Sequence, residues 1–520
     1  MCHTNSNLQY LTKLLSHRQS TLEGDFFIPE VWNSFGYKDF TTHAERPGEI
    51  SVNPYKFTKH CIKTILANPS SLSIPLKDSI IYGILPRMFT SWDHYSKDNL
   101  CPGTFLKCLW LLPYLKKMNI NIVYLLPIFK ISDKYKKGDV GCPYAIKDIY
   151  KLDDSLHDSL LGEYNFELLE LQFKAFVEAC HALGIKVMLD FAFRTVARDN
   201  VLTETHPEWF YWIDKKYEKN FEAPKIPELP PHTSVSLGVI DAIYKSKSVK
   251  EYLTMFTEYD PENPNITTAP AFSDVINDTQ PIWSDITYLK FYFDASYILY
   301  DGIKLNVFSG KKPNAELWDY IKKVIPYYQN KFNIDGARID MGHALPPDLS
   351  SKIIAASREG RKDFILWSEV IDIKLSGEAK KQGYDLISGD LWAAYKYPCI
   401  DCIAHTASSK LPLIASPETP DTPRLALQGL NKQQIKKLLD INFSLPNSIP
   451  FINNGMDVLE VQPMNLGLGN TEEGRFVLDK SDPQYGKLAF FDNYRLHWLN
   501  KNAKWMFDTL CEISSSKKEL

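Results

Sequence analysis

The sequence has few cysteines for its length and no long run of apolar residues. Nine cysteines in 520 residues is far below the density of a disulfide framework, and the odd number fits a reducing compartment. An apolar stretch such as 109–115 is interrupted by Pro113 and followed by two lysines, so no membrane span is expected. The N-terminus shows no basic segment followed by an apolar run. We therefore expect a cytoplasmic protein that has no membrane partner.

An excess of positive charge is also missing. Lysine and arginine number 59 against 63 aspartates and glutamates, which gives a net charge of −4 and no general field to hold a polyanion, so nucleic acid is not expected as a partner. The 24 glycines and 32 prolines show no period, which excludes a collagen-like chain. Aromatic residues, by contrast, reach 13%. They suit a large core and also a site that stacks on sugar rings.

The chain beyond residue 78 alternates short apolar runs with helical patterns. Eight runs rich in β-branched and aromatic residues predict strands at 79–85, 121–126, 185–192, 336–339, 364–367, 384–388, 411–415 and 449–453. Apolar residues that recur every three or four positions predict helices between them, at 105–118, 170–183, 315–332, 348–359 and 432–439. This alternation is typical of an α/β protein with a closed (β/α)8 TIM barrel.

The predicted barrel does not account for the whole chain. We expect an N-terminal extension over 1–78, the catalytic barrel over 79–193 and 314–511, and a polar, frayed tail over 512–520. The segment 194–313 after the third strand is much longer than a crossover helix requires and is rich in proline and aromatic residues. It is predicted to form an inserted subdomain over the mouth of the barrel.

Acidic residues follow three of the predicted strands. Asp340 comes after the fourth strand, Glu369 after the fifth and Asp421 after the seventh, and active sites of such barrels lie at these strand ends. A single acid there is most simply a helix cap or the partner of an arginine. Three together favour a site, because glycosidic bond chemistry uses one carboxyl group to protonate the leaving oxygen and another to attack carbon.

The segments around these acids resemble the alpha-amylase superfamily, glycoside hydrolase family 13. The resemblance is greatest to its 4-alpha-glucan maltosyltransferases and extends from about residue 79 to about residue 498. It rests on five segments, 190–199, 206–213, 335–346, 418–424 and 462–468.

The resemblance implies roles for individual residues. Asp340 would be the nucleophile, Glu369 the general acid and then base, and Asp421 the third carboxylate, which stabilises the transition state. Tyr144 occupies the place of a tyrosine that stacks under the reacting sugar. Arg338 lies two residues before Asp340 on the same strand, so it faces the same way and is expected to keep Asp340 ionised.

Departures from the amylase pattern concern the groups around the reacting sugar. Arg194 and Thr195 stand where amylases usually have Asn-His, and that asparagine is commonly a calcium ligand. Because a guanidinium cannot coordinate a cation, we expect no calcium at this site.

A proline, Pro420, replaces the histidine that usually precedes the third acid. Sugar contacts would then come from Arg194, Arg198 and His343, while Asp190 is expected to organise the site through hydrogen bonds. Glu418 and Arg424 are expected to pair with each other.

The resemblance implies a retaining glycosyltransferase that moves maltosyl units between alpha-1,4-glucans by double displacement, without a cofactor or metal. Its partners would be a glucan donor and a glucan acceptor, and the oligomeric state is open, with a homodimer among the alternatives. Three other functions stay open: a hydrolase of maltooligosaccharides or glycogen, a transferase that uses maltose 1-phosphate, and an inactive sugar-binding homologue. Members of the family usually continue into a C-terminal β-sandwich, which is expected to be absent because only 22 residues follow Trp498.

Overall fold

The centre of the molecule is a closed barrel of eight parallel strands, as the sequence predicts. The computed structural model describes residues 6–19, 24–95, 99–273, 275–278, 280–295, 309–394 and 401–516. Each barrel strand pairs with the next in the chain, and the eighth pairs with the first. The strands are β1 Ile81–Ile84, β2 Ile122–Leu125, β3 Lys186–Ala192, β4 Gly336–Asp340, β5 Ile365–Ser368, β6 Leu386–Ile387, β7 Leu413–Ala415 and β8 Ser448–Ile452.

These strands form because their residues suit burial on both faces. Every residue of β1, β2, β5 and β8 is buried, since helices cover the outside of the barrel and side chains fill its interior. The predicted (β/α)8 fold is therefore confirmed.

Helices follow each strand on the outside of the barrel. They are Pro86–Phe89, Phe105–Cys108, Leu112–Lys117, Phe166–Ala182, Ala315–Lys322, Val324–Phe332, Pro347–Arg358, Ser376–Gln382, Leu391–Ala394, Cys402–Ser408, Lys432–Ser444 and Ala503–Ser516. No helix in the described residues combines the length and the apolar character that crossing a bilayer requires.

Two of the predicted helices are each divided by a proline. The helix predicted over 315–332 consists of Ala315–Lys322 and Val324–Phe332. Pro326 has no N–H to donate to the carbonyl four residues earlier, so the hydrogen-bond ladder is interrupted. Pro113 lies at the corresponding break in the first predicted helix.

The N-terminal extension shares one core with the barrel. Its helix Ser6–Arg18 buries Leu8, Leu11 and Leu15. A second helix and a three-stranded antiparallel sheet complete it, at Pro54–Ala67 and at Phe26–Pro29, Phe40–Thr42 and Glu49–Val52. Trp32 lies with its ring centroid 6.2 Å from that of Trp110 and 5.8 Å from that of Trp498. The extension thus closes the side of the barrel on which these tryptophans meet.

The chain between β3 and β4 has a hydrophobic core of its own. This core includes the buried rings of Phe221, Tyr252 and Phe272. The elements around it are the strands Thr195–Ala197, Trp212–Asp214, Thr233–Ser234, Phe256–Thr257, Ile266–Thr268, Val275–Ile276 and Ile286–Tyr288, and the helices Leu202–Thr205, Ile240–Lys245 and Lys247–Leu253. Part of the predicted insert, 296–308, lies outside the described residues.

The last described helix corrects one expectation about the end of the chain. Ala503–Ser516 is helical and buries Met506, Leu510 and Ile513, so residues 512–516 are not a frayed tail as predicted. The helix persists because apolar residues recur at three- and four-residue intervals along one face. The remaining residues, 517–520, lie outside the described part of the chain.

We predict that Leu11→Ala lowers the free energy of unfolding by about 2–5 kcal/mol, since it leaves a cavity between the N-terminal helix and the core. Chemical denaturation monitored by tryptophan fluorescence measures this loss. Tyr10→Ala is the control, because Tyr10 is 54% exposed and its truncation is expected to cost no more than about 0.5 kcal/mol. Equal effects of the two substitutions would contradict the packing of this helix.

Candidate active site

Neighbouring strands bring four charged side chains to one end of the barrel. In the register of the sheet, Arg338 on β4 lies opposite Asp190 on β3 and Trp367 on β5. Asp340 ends β4, and Glu369 directly follows β5. Because side chains alternate along a strand, Arg338 and Asp340 point to the same side. The carboxyl ends of β3, β4 and β5 therefore converge as predicted.

The Arg338 guanidinium contacts three carboxylates. Its Nη1 donates to both oxygens of Asp190, at 2.8 and 2.7 Å, and to Oδ1 of Asp340 at 3.1 Å. Its Nη2 lies 2.6 Å from Oε1 of Glu369. The guanidinium is buried and its planar fork suits several oxygens at once. One cation thus fixes the relative positions of three acids.

Asp190 organises the site from a fully buried position. Its Oδ2 accepts hydrogen bonds from the hydroxyl of Tyr124 at 2.5 Å and from that of Tyr144 at 2.6 Å, in addition to those from Arg338. These donors occupy its oxygens, so the predicted organising role agrees with its contacts. The hydroxyl of Tyr144 is thereby anchored, and this residue also lines the adjacent pocket.

A left-handed backbone turn after Asp340 holds Glu369. Met341 has φ +47°, which is unusual for a residue with a side chain, and its N–H donates to Oε2 of Glu369 at 2.8 Å. His343 donates from Nδ1 to the main-chain carbonyl of Glu369 at 2.8 Å. The structure therefore places His343 against the backbone of the acid, and its role in binding sugar stays a prediction.

Asp340 and Glu369 are buried acids that act on each other and share the Arg338 guanidinium. Burial and then the charge of Glu369 raise the pKa of Asp340 well above its ordinary value. Burial alone would raise the pKa of Glu369 too, but the Arg338 guanidinium and the Met341 N–H lower it. Arg338 lowers the pKa of Asp340 as expected, but burial and the charge of Glu369 outweigh its effect.

Asp421 lies across the pocket from this pair and is held by a separate loop. The side-chain N–H of Asn465 donates to its Oδ1 at 2.5 Å, and the loop approaches so closely that a Cβ on Gly467 would lie 2.8 Å from the Asp421 carbonyl oxygen. Burial, followed by the charge of Glu369, raises the pKa of Asp421 to about 6.

The pocket that Glu369 and Asp421 share has aromatic and apolar walls. Arg338, Glu369 and Asp421 line it together with Tyr124, Tyr144, Trp367, Ile371, Ser388, Gly389, Trp392, Ile414, Ser416, Thr419, Pro420, Phe451 and Leu468. The sequence analysis did not single out Trp367, although its position two residues before Glu369 places both on one face of the strand. Trp392 and Asn465 were not predicted either. The only signal for Trp392 was its place shortly after β6, and the only signal for Asn465 was its place in segment 462–468.

The predicted sugar-binding arginines have other partners. Arg194 donates to the Tyr288 hydroxyl at 2.6 Å and lies over the Tyr288 ring. Arg198 bonds to Thr268 and Glu218, within the insert. Neither arginine is among the described residues that line the pocket, and their roles in binding the reacting sugar stay predictions.

Glu418 and Arg424 pair as the sequence predicts. Their side chains are almost fully buried and lie 2.9 Å apart. Arg424 also donates to the carbonyls of Gln462 and Asn454. The pair therefore connects the segment after β7, which carries Asp421, to the segment after β8.

The described residues offer no cluster of metal ligands at this site. Within the described ranges, no group of three or more histidine, cysteine, aspartate or glutamate side chains is arranged to hold a metal ion. The absence of calcium stays a prediction, based on the guanidinium at position 194.

Comparison with known proteins supports the resemblance. No family model matches the chain. An alpha-1,4-glucan:maltose-1-phosphate maltosyltransferase of Cereibacter sphaeroides is 27% identical over 253 residues, which cover 43% of this chain and 39% of that protein. A protein of the same name from Methylacidiphilum infernorum is 38% identical over 120 residues, 21% of this chain and 17% of that protein. The chain thus matches at most about two fifths of the length of these relatives.

Solved structures share the fold over a longer range. An alpha-amylase from Lactobacillus plantarum has a TM-score of 0.52 at 18% identity, covering 85% of this chain and 80% of its own. A debranching enzyme from Nostoc punctiforme also has a TM-score of 0.52, at 16% identity, with 86% and 82% covered. The resemblance to maltosyltransferases of the alpha-amylase superfamily is confirmed. At these identities, the solved structures show the fold alone.

We predict that Asn465→Ala moves the acidic limb of the activity profile to higher pH. A carboxylate with a pKa of about 6 loses its charge as the pH falls through 6, and the Asn465 N–H stabilises the charged form. Its removal is expected to raise this pKa by about one unit. The measurement is kcat/KM on maltooligosaccharides from about pH 4.5 to about pH 8.

Asn470→Ala is the matched control, since the Asn470 side chain bonds to the main-chain carbonyls of Asp421 and Asn465 and not to the carboxylate. Its acidic limb should stay where it is in the wild type. An unmoved limb in Asn465→Ala would show that Asp421 does not determine it.

Proposed function

We propose that the protein is a retaining transferase that moves maltosyl units onto alpha-1,4-glucans. The observation that carries the proposal is a pocket lined by Glu369 and Asp421, beside which Arg338 holds Asp340 next to Glu369. A pair of carboxylic acids flanking one bond is the arrangement used in glycosidic bond chemistry. The names of the maltosyltransferase relatives supply the unit transferred.

In the first step, Asp340 attacks the anomeric carbon of the donor sugar. Glu369 gives its proton to the departing oxygen, so the glycosidic bond breaks as an ester bond to Asp340 forms. For this step Glu369 must carry the proton and Asp340 the negative charge. Both carboxyl groups contact the Arg338 guanidinium, which stabilises a carboxylate in its charged form.

In the second step, Glu369 removes the proton from the 4-hydroxyl of an acceptor glucan. The acceptor oxygen attacks the anomeric carbon, the ester bond breaks and Asp340 is released as a carboxylate. Asp421 carries a negative charge above about pH 6. That charge would stabilise the positively charged sugar ring in both transition states.

Transfer requires that a sugar hydroxyl compete with water for the ester. Indole and phenyl rings bind the apolar faces of sugars, and Trp367, Trp392 and Phe451 line the pocket. A bound acceptor has a high effective molarity relative to free water. These walls support transfer over hydrolysis.

The donor has two candidates, each favoured by one observation. The names of the relatives favour maltose 1-phosphate. The charge of the pocket favours a neutral glucan, because Arg338 is the one cation among the described lining residues and its hydrogen bonds go to carboxylates. We place the glucan first, since a phosphate leaving group would face Glu369 without a further cation from the described wall.

We predict that incubation with maltotetraose gives products that differ by two glucose units with no rise in reducing ends. Glu369→Gln should lower this rate by roughly 10²–10⁴-fold, because the amide cannot transfer a proton. Chromatography by chain length and a reducing-end assay measure both quantities. Glu359→Gln, on an outer helix end, is the control and should match the wild type.

The same assay separates the alternatives. A rise in reducing ends with glucose and mixed oligomers would identify a hydrolase. Phosphate release from maltose 1-phosphate, with maltotetraose as acceptor only, would identify the phosphorylated donor. An inert wild type with both donors would overturn the proposed activity and favour a sugar-binding homologue.

A further inference from the structure

Arg87 is a buried cation whose hydrogen bonds go to main-chain carbonyls. It follows β1, in the short helix Pro86–Phe89, and is 8% exposed. Its Nη2 donates to the carbonyl oxygens of Phe490 at 2.7 Å, Gly141 at 2.8 Å and Ala489 at 3.4 Å. Burial lowers the pKa of the guanidinium. Holding a charge in this way is costly, and each of the three carbonyls belongs to a segment that supports the active site.

One of them belongs to the loop that carries Tyr144. Gly141 lies three residues before Tyr144, whose hydroxyl donates to Asp190 at 2.6 Å. Asp190 in turn accepts two hydrogen bonds from Arg338. The position of the Gly141 carbonyl therefore affects Tyr144 through the intervening backbone, and Tyr144 and Arg338 bond to the same Asp190 carboxylate.

The others belong to a segment that supports the third acid. The N–H of Phe490 donates to the carbonyl of Met464 at 3.0 Å. The next residue, Asn465, donates to Asp421 at 2.5 Å. The Phe490 ring also lies 5.7 Å from the Tyr144 ring. Arg87 thus bonds both to the loop that carries Tyr144 and to the segment that contacts the loop of Asn465.

The two loops are also joined directly beside Arg87. The N–H of Val140 donates to the carbonyl of Phe491 at 2.9 Å, and the N–H of Asp139 donates to the carboxylate of Asp492 at 3.2 Å. These bonds join the loops at one place, and Nη2 of Arg87, which donates to carbonyls of both loops, joins them at a second.

We propose that Arg87 is a positioning residue that sets the spacing between Asp421 and the Asp340–Glu369 pair. It touches neither the reacting sugar nor the acids and acts through Tyr144 and Asn465. The kinetic consequences of this inference rest on the proposed function. Its structural consequences rest on the contacts alone. Its loss should loosen both loops together, because each loses a bond to the same side chain.

We predict that Arg87→Met increases hydrogen–deuterium exchange in segments 138–145 and 462–466 at once. Arg87→Lys keeps the charge, but its ammonium group reaches less far along the side chain than Nη2, so a smaller increase in both segments is expected. In the maltotetraose assay kcat should fall by roughly 10–100-fold for Arg87→Met, with KM changed much less. Arg87→Lys should restore part of that loss.

Arg46→Lys is the matched control. Arg46 is also a buried arginine, and it donates to the carbonyl of Asp93 and pairs with Glu49, away from the pocket. It should lower the unfolding temperature without changing exchange in the two segments or kcat. Exchange that rises in one segment only, or in neither, would overturn the proposal. The exchange result stands even if the wild type proves inert, so failure of the proposed function is recognised separately.

Discussion

The site depends on one buried guanidinium. Arg338 lies between Asp190, Asp340 and Glu369, and its position is fixed by strand register on both sides. Removing one partner from a buried ion group leaves a charge without compensation and typically costs several kcal/mol. The barrel must therefore form correctly before the three acids can approach one another. Arg338 is thus part of both the barrel and the active site, because it bonds to three of the acids at once.

The environment gives chemically similar acids different properties. The pKa of Glu369 is lowered by the guanidinium and the Met341 N–H, that of Asp421 is raised to about 6, and that of Asp340 is raised well above its ordinary range. Separating the pKa values of neighbouring carboxyl groups is how a site obtains both a proton donor and a charged group at one pH. Here burial raises the pKa of each acid, and Arg338 offsets that effect to a different extent at each of them.

The sequence predicts the barrel well because each strand carries its own signal. A short buried run such as 336–339 needs no knowledge of its neighbours, and the acids at the strand ends follow from the strands. The contacts of Arg194, Asn465 and Arg87 could not be read in this way. Each bonds to a residue tens or hundreds of positions away, and periodicity carries no information about such pairs. The division of the helix at Pro326 was readable from the sequence and was missed.

The closing of the barrel has a consequence for synthesis of the chain. Strand β1 bonds to β2 on one side and to β8 on the other, and β8 ends only at residue 452. While the ribosome makes the intervening residues, β1 presents an unpaired sheet edge, which is a template for pairing with other nascent chains. The apolar composition of Ile81–Ile84 favours such pairing until β8 has been made and closes the barrel.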